Sequence, residues 1–103
     1  MQSRGLLKMG DLSAPCALGS GGMAAAKSEG DGTTPIGAWP VRRIWYRPDR
    51  EARPITALQI SQISRKSGWC DDVDRAEYNL PVALPFDGSH EILWRDDGLY
   101  DIF

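Results

Sequence analysis

A chain of 103 residues with a formal net charge of −2 has room for one domain, and so small a charge excludes nucleic acid as a default partner. Its hydrophobic share of 42% suffices for a core without metal or disulfide staples, while 11 glycines and 7 prolines cut the sequence into short pieces that favour strands over long helices. No run approaches the ~20 apolar residues of a membrane span, and Leu6-Leu7, cut by Lys8, is too short for a secretory signal, so the expectation is a soluble chain without an export address.

In chain order, Arg4 to Met9 predicts a strand, Gly10-Asp11 a turn and Leu12 to Leu18 the returning arm of a hairpin. Pro15 removes one donor from that arm, which places it at an edge or makes it locally irregular. The small residues from Gly19 to Ala26, and Lys27 to Gly32 after them, read as loop. Beyond Thr33-Thr34-Pro35-Ile36-Gly37, the aromatic and β-branched residues from Ala38 to Tyr46 predict a strand.

Arg47 to Pro54 is a charged connector, and Leu58 to Ile63 a weak, half-buried strand. Gly68 to Asn79 reads as acidic and irregular. Leu80, Val82, Leu84 and Phe86 then recur at period two, but Pro81 and Pro85 bar that segment from a central sheet position. The last apolar pieces are Ile92 to Trp94 and Leu99 to Phe103, parted by a turn at Asp96-Asp97-Gly98. The chain ends inside an apolar run without a polar tail, which reads as an interrupted strand.

Charge is unevenly spread. Residues 1–50 carry seven Lys/Arg against four Asp/Glu, and residues 51–103 five against ten. Arg42, Arg43, Arg47, Arg50 and Arg53 form a cluster able to meet phosphates or carboxylates, with a solvated loop as the plainer reading. Cys16 and Cys70 are expected as free, structural thiols. A Cys70–His90 dyad is disfavoured, because Asp71 and Asp72 would raise the thiol pKa. Cys70, Asp71, Asp72, His90 and Glu91 lack the paired short spacing of a zinc site, so neither metal nor cofactor is expected. The tryptophans Trp39, Trp45, Trp69 and Trp94 read as core and rim residues before sugar-stacking ones.

The order Cys16-Ala17-Leu18-Gly19, then Gly30-Asp31-Gly32-Thr33-Thr34-Pro35-Ile36-Gly37, then a strand, is similar to a segment of YkuD-type L,D-transpeptidases. In those proteins a strand ends in glycine and a Thr-Pro-x-Gly turn leads into the next strand. Gly68-Trp69-Cys70-Asp71-Asp72, Tyr78-Asn79, Ser89-His90-Glu91 and Leu99-Tyr100-Asp101 resemble a bacterial branch of the same family. The resemblance implies a mainly β, sandwich-like domain in the periplasm or cell envelope. It also implies a cysteine that forms an acyl-enzyme with a peptidoglycan stem peptide and passes it to an amine. The cleft candidates it implies are Thr34, Pro35, Gly37, Trp69, Asp71, Tyr78, Asn79 and His90.

The family's active motif is a histidine followed downstream by a turn with Gly-Cys. Here Cys16 follows Pro15, Cys70 follows Trp69, and the single histidine, His90, comes after both. No catalytic residue is carried over. The expectation is therefore the N-terminal part of an L,D-transpeptidase-like domain over residues 1–103, truncated before the nucleophile and inactive alone. The alternative is a small β-type binding module that uses its tryptophans and arginines to hold a cell-wall or acidic ligand, and a chance match to an unrelated small β protein stands beside both.

Overall fold

Short apolar stretches broken by glycine and proline yield strands and turns only. The computed structural model describes residues 3–103 and, as expected, is mainly β, with no helix among the described residues. The chain divides into two compact units, Met1–Pro40 and Val41–Phe103, each taken by itself.

In the first unit, β1 (Ser3–Met9) and β2 (Leu12–Leu18) form the expected antiparallel hairpin, in register from Ser3 opposite Leu18 to Met9 opposite Leu12. Gly10, at φ +56°, begins the two-residue turn, a position where glycine carries no steric cost. Both arms are edges, which is why Pro15 is tolerated. Leu6, Leu7, Met9 and Leu12 are all more than half exposed.

The predicted loop after the hairpin contains a two-residue strand, β3 (Met23–Ala24), which pairs in parallel with β4 (Thr34–Pro35). Backbone hydrogen bonds fasten the segment: Gly21 N donates to Gly32 O at 3.0 Å, and Thr34 N to Gly22 O at 2.8 Å. Gly19 N donates to Thr34 Oγ1 at 2.7 Å, so close to the opposing backbone that a Cβ on Gly19 would fall on the Gly32 carbonyl oxygen. Within the loop, Asp31 accepts from Lys27 Nζ, Ser28 N and Thr33 N, each at 2.8 Å, and these donors hold its carboxyl below the usual carboxylate range.

Of the strand predicted over Ala38 to Tyr46, only β5 (Arg43–Tyr46) forms. Pro40 denies a ladder donor to the earlier part, where Trp39 and Val41 are 68% and 73% exposed. β5 pairs in parallel with β6 (Gln59–Gln62), inside the predicted Leu58 to Ile63 strand. On its other side Trp45 N donates to Phe103 O at 2.8 Å, Phe103 N to Trp45 O at 2.9 Å, and Arg47 N to Asp101 O at 2.8 Å. The terminal apolar run is thus paired rather than left open.

The second sheet corrects the reading of Gly68 to Asn79. β7 (Ser67–Cys70) is its central strand, between β8 (Pro81–Ala83) and β9 (His90–Ile92), both antiparallel to it. Gly68 is buried, and a Cβ there would lie 2.7 Å from Leu84 Cδ2. The glycine that made the segment read as irregular is what lets Leu84 cover it. β8 is an edge strand, as Pro81 requires.

Tyr46, Ile63, Cys70 and Leu93, each 3% exposed or less, are the core of this unit. Aromatic rings extend it: Trp45 and Trp69 meet edge to face at 5.4 Å, and Trp45 stacks on Phe103 at 5.7 Å. Such pairs contribute about 0.5–1.5 kcal/mol each beyond area burial. Arg47, only 5% exposed, is satisfied by Asp49 Oδ1 at 2.9 Å, Asp49 Oδ2 at 3.2 Å and Arg95 O, and its guanidinium lies 3.9 Å from the Trp94 ring centroid.

Candidate functional site

The C-terminal end of β7 gathers four of the expected cleft residues. After Cys70 the chain loops out and returns, closed where Asn79 N donates to Cys70 O at 2.9 Å and Cys70 N to Leu80 O at 3.0 Å. Asn79 takes φ +58°, a left-handed conformation that asparagine tolerates better than most residues. From there its Oδ1 accepts from Trp69 Nε1 at 3.1 Å. Asp71 Oδ1 accepts from Ser89 Oγ at 2.6 Å, Asp71 N donates to Ser89 O at 3.2 Å, and Asp72 Oδ2 accepts from Ser89 N at 3.4 Å. The motif pieces Trp69 to Asp72, Asn79, and Ser89 with His90 are thereby tied into one corner.

His90 lies at the start of β9. Its Nδ1 donates to Gly88 O at 2.8 Å, since a carbonyl only accepts, and this leaves Nε2 as the acceptor of the neutral ring. The Phe86 ring packs edge-on against it at 5.8 Å, and Phe86 is held in turn by Arg75, which pairs with Asp87 at 2.9 Å. The Arg75 guanidinium holds the Asp87 carboxyl below its ordinary value. Tyr78 is half-buried in the turn that closes the loop, its N donating to Arg75 O at 3.1 Å.

Thr34, Pro35 and Gly37 belong to the first unit. Thr34 holds Gly19 through its hydroxyl, and Pro35 lies in β4. Gly37 takes φ +155°, and a Cβ there would stand 3.1 Å from the Trp39 indole.

Cys70 and His90 are register partners on adjacent strands. The bonds Asp71 N to Ser89 O and Leu93 N to Ser67 O make 70/90 a non-hydrogen-bonded pair, the arrangement that brings facing side chains closest. Cys70 is nonetheless 0% exposed and free, and its Sγ lies 3.9 Å from Asp72 O. A thiol closed to substrate is structural. Among the described residues no group of three or more His, Cys, Asp or Glu is arranged to hold a metal ion.

The arginine cluster is largely spent on internal contacts. Arg43 donates to Ser61 Oγ at 3.1 Å and lies 4.5 Å from the Trp45 ring centroid, Arg47 is buried, and Arg50 reaches Arg95 O at 3.2 Å and Asp101 Oδ1 at 3.3 Å. The sequence reading missed a different pair of cations, Arg65 and Lys66, in the turn between β6 and β7. They border an open hollow of about 560 Å³ whose other lining includes Pro48, Ile63, Ser64 and Trp94. A Ser-Arg-Lys-Ser turn between two strands was the signal for it, but Trp94 comes from far along the chain. No helix of the described residues is long and apolar enough to cross a membrane. No family model matches this chain, and neither does any curated protein or solved structure.

Proposed function

We propose that the chain is an L,D-transpeptidase-like sequence of the YkuD type, whose residues supply a scaffold and a cleft wall for a peptidoglycan stem peptide and no nucleophile. One observation supports this reading above others. Three of the motif pieces that carry the resemblance, Gly68 to Asp72, Tyr78-Asn79 and Ser89-His90-Glu91, meet at one end of β7 through the Trp69–Asn79 and Asp71–Ser89 hydrogen bonds, while the Thr-Pro-x-Gly piece lies in the first unit. Asn79 commits Oδ1 to Trp69, which leaves Nδ2 to donate to a peptide carbonyl, while His90 Nε2 can accept from a peptide N–H. The two-sheet sandwich and the cell-envelope setting belong to the same proposal.

The test is a titration of the ¹⁵N-labelled chain with a soluble stem tetrapeptide, with intact-mass analysis after incubation with a carbapenem. Saturable shifts of the Trp69 indole and Asn79 amide signals, with no mass increase, are expected. A covalent adduct on Cys16 or Cys70 overturns the claim that no nucleophile is present. Unmoved Trp69 and Asn79 signals at millimolar peptide overturn the cleft wall.

A further inference from the structure

We propose that the hollow between the Ser64–Ser67 turn and Trp94 binds the free C-terminal carboxylate of a peptide that ends in an apolar residue. This site lies at the opposite end of β7 from the Trp69–His90 corner and does not rest on the transpeptidase reading.

The lining divides into an apolar part and a cationic rim. Ile63, 2% exposed, is the floor, and Pro48 and the Trp94 ring form the wall. The volume of about 560 Å³ lies within the ordinary range for small ligands, ~300–1,000 Å³. Arg65 and Lys66 stand at the rim, both exposed, and neither is in an ion pair among the described residues. Arg47, Arg50, Arg75 and Arg95, by contrast, each meet a carboxylate.

The rim is preorganised. Ser64 N donates to Ser67 Oγ at 2.9 Å, Lys66 N to Ser64 Oγ at 3.2 Å and Ser67 N to Ser64 O at 3.0 Å, which fixes the backbone that carries both cations. Trp94 is fixed from below by the buried Arg47, 3.9 Å from its ring centroid, and Arg65 comes within 5.6 Å of the same centroid. Less ordering is then left for binding to supply.

The sign and the size of the charge select the ligand. Two unpaired cations beside an apolar wall match one carboxylate joined to one apolar side chain, and arginine can grip a carboxylate with two parallel hydrogen bonds. A polyanion fits poorly, because residues 51–103 carry ten Asp/Glu against five Lys/Arg, with Asp49, Asp96 and Asp97 close along the chain to Arg47 and Trp94.

The experiment titrates the full chain with acetyl-Ala-Ala-Leu bearing a free carboxylate, with its C-terminal amide, and with a 12-mer single-stranded DNA, following the Trp94 indole and the Arg65 and Lys66 amides by NMR. Saturable binding of the acid is expected, at least about tenfold weaker for the amide and about tenfold weaker for the acid with R65Q/K66Q. Both substitutions are at exposed positions, and an otherwise unchanged amide spectrum verifies the fold. Equal binding of acid and amide, no loss in R65Q/K66Q, no saturation by the acid, or tighter binding of the DNA overturns the proposal.

Discussion

Cys70 and His90 face each other across β7 and β9, yet the thiol is sealed and the imidazole is committed through Nδ1 to Gly88 O. Adjacency on a sheet is therefore no evidence of a dyad here. What decides is access, and Cys70 has none.

The two cysteines should accordingly separate under alkylation. Iodoacetamide is expected to modify the half-buried Cys16 in the native protein and Cys70 only in denaturant. Cys70→Ser, which buries a hydroxyl in place of the thiol, should destabilise by about 1–3 kcal/mol. Native labelling of Cys70 as fast as Cys16, read by peptide mass, would contradict the burial.

The glycines of the first unit are not equivalent. Gly19→Ala must push the β3–β4 segment away from the Gly32 carbonyl, an overpacking expected to cost about 3 kcal/mol. Gly22→Ala meets open space and bears only the strain of φ +83°, about 1 kcal/mol. Hydrogen exchange at the Thr34 and Ile36 amides, which donate across that pairing, should quicken far more in the first variant. Equal exchange would mean that the loop is not held as described.

Arg47 and Arg43 sit at neighbouring positions of the former cluster and should behave oppositely. Arg47→Ala unpairs Asp49, leaves Arg95 O to the exposed Arg50 donor and removes the guanidinium beneath Trp94. Arg43→Ala loses a solvent-facing bond to Ser61 and an exposed contact with the Trp45 ring. A clearly lower melting temperature is expected for the first and a change of a degree or two, at most about 3 °C, for the second.

Acid and alkali should each unfasten a named pair. Asp97 is held at about 2, below its ordinary 3.8, by Arg95 and the Leu99 N–H, and Asp49 and Asp87 are lowered by Arg47 and Arg75. A depressed carboxyl stabilises the fold fully above its ordinary value, and the contribution is lost as pH falls from about 4 towards 2. Tyr100 is raised to about 12 by burial and by its bond to Glu91. That contribution is intact below pH 10 and fades as pH rises through 12. Urea midpoints should fall below pH 4 and less steeply in Asp97→Asn, and ultraviolet titration of Tyr100→Phe should lack the phenol that ionises near pH 12. Midpoints unchanged between about pH 5 and pH 2 would contradict the assignment.

Local chemistry was legible in the sequence. Gly10-Asp11 between two apolar arms announces the hairpin, and Pro81 places β8 at an edge. β7 was not legible, because Ser67, Gly68 and Cys70 give no apolar alternation. Its central place follows from Leu84 packing over Gly68, a contact across sixteen positions. The pairing of Trp45 with Phe103 is more distant still. Of the residues named from motif order, Trp69, Asp71, Asn79 and His90 lie together at one end of β7. Arg65 and Lys66 were missed, and Trp94 was named without them, because only the folded sheet brings a turn's two cations beside a tryptophan twenty-eight positions on.

The Trp45–Trp69 pair has an optical consequence. Two indoles in contact at 87° couple their electronic transitions, giving the second unit a circular-dichroism signature that disappears when its sheets part. Trp39, exposed in the first unit, adds no such coupling and emits as a solvated indole. Circular dichroism can therefore follow the pairing of the second unit's sheets by itself.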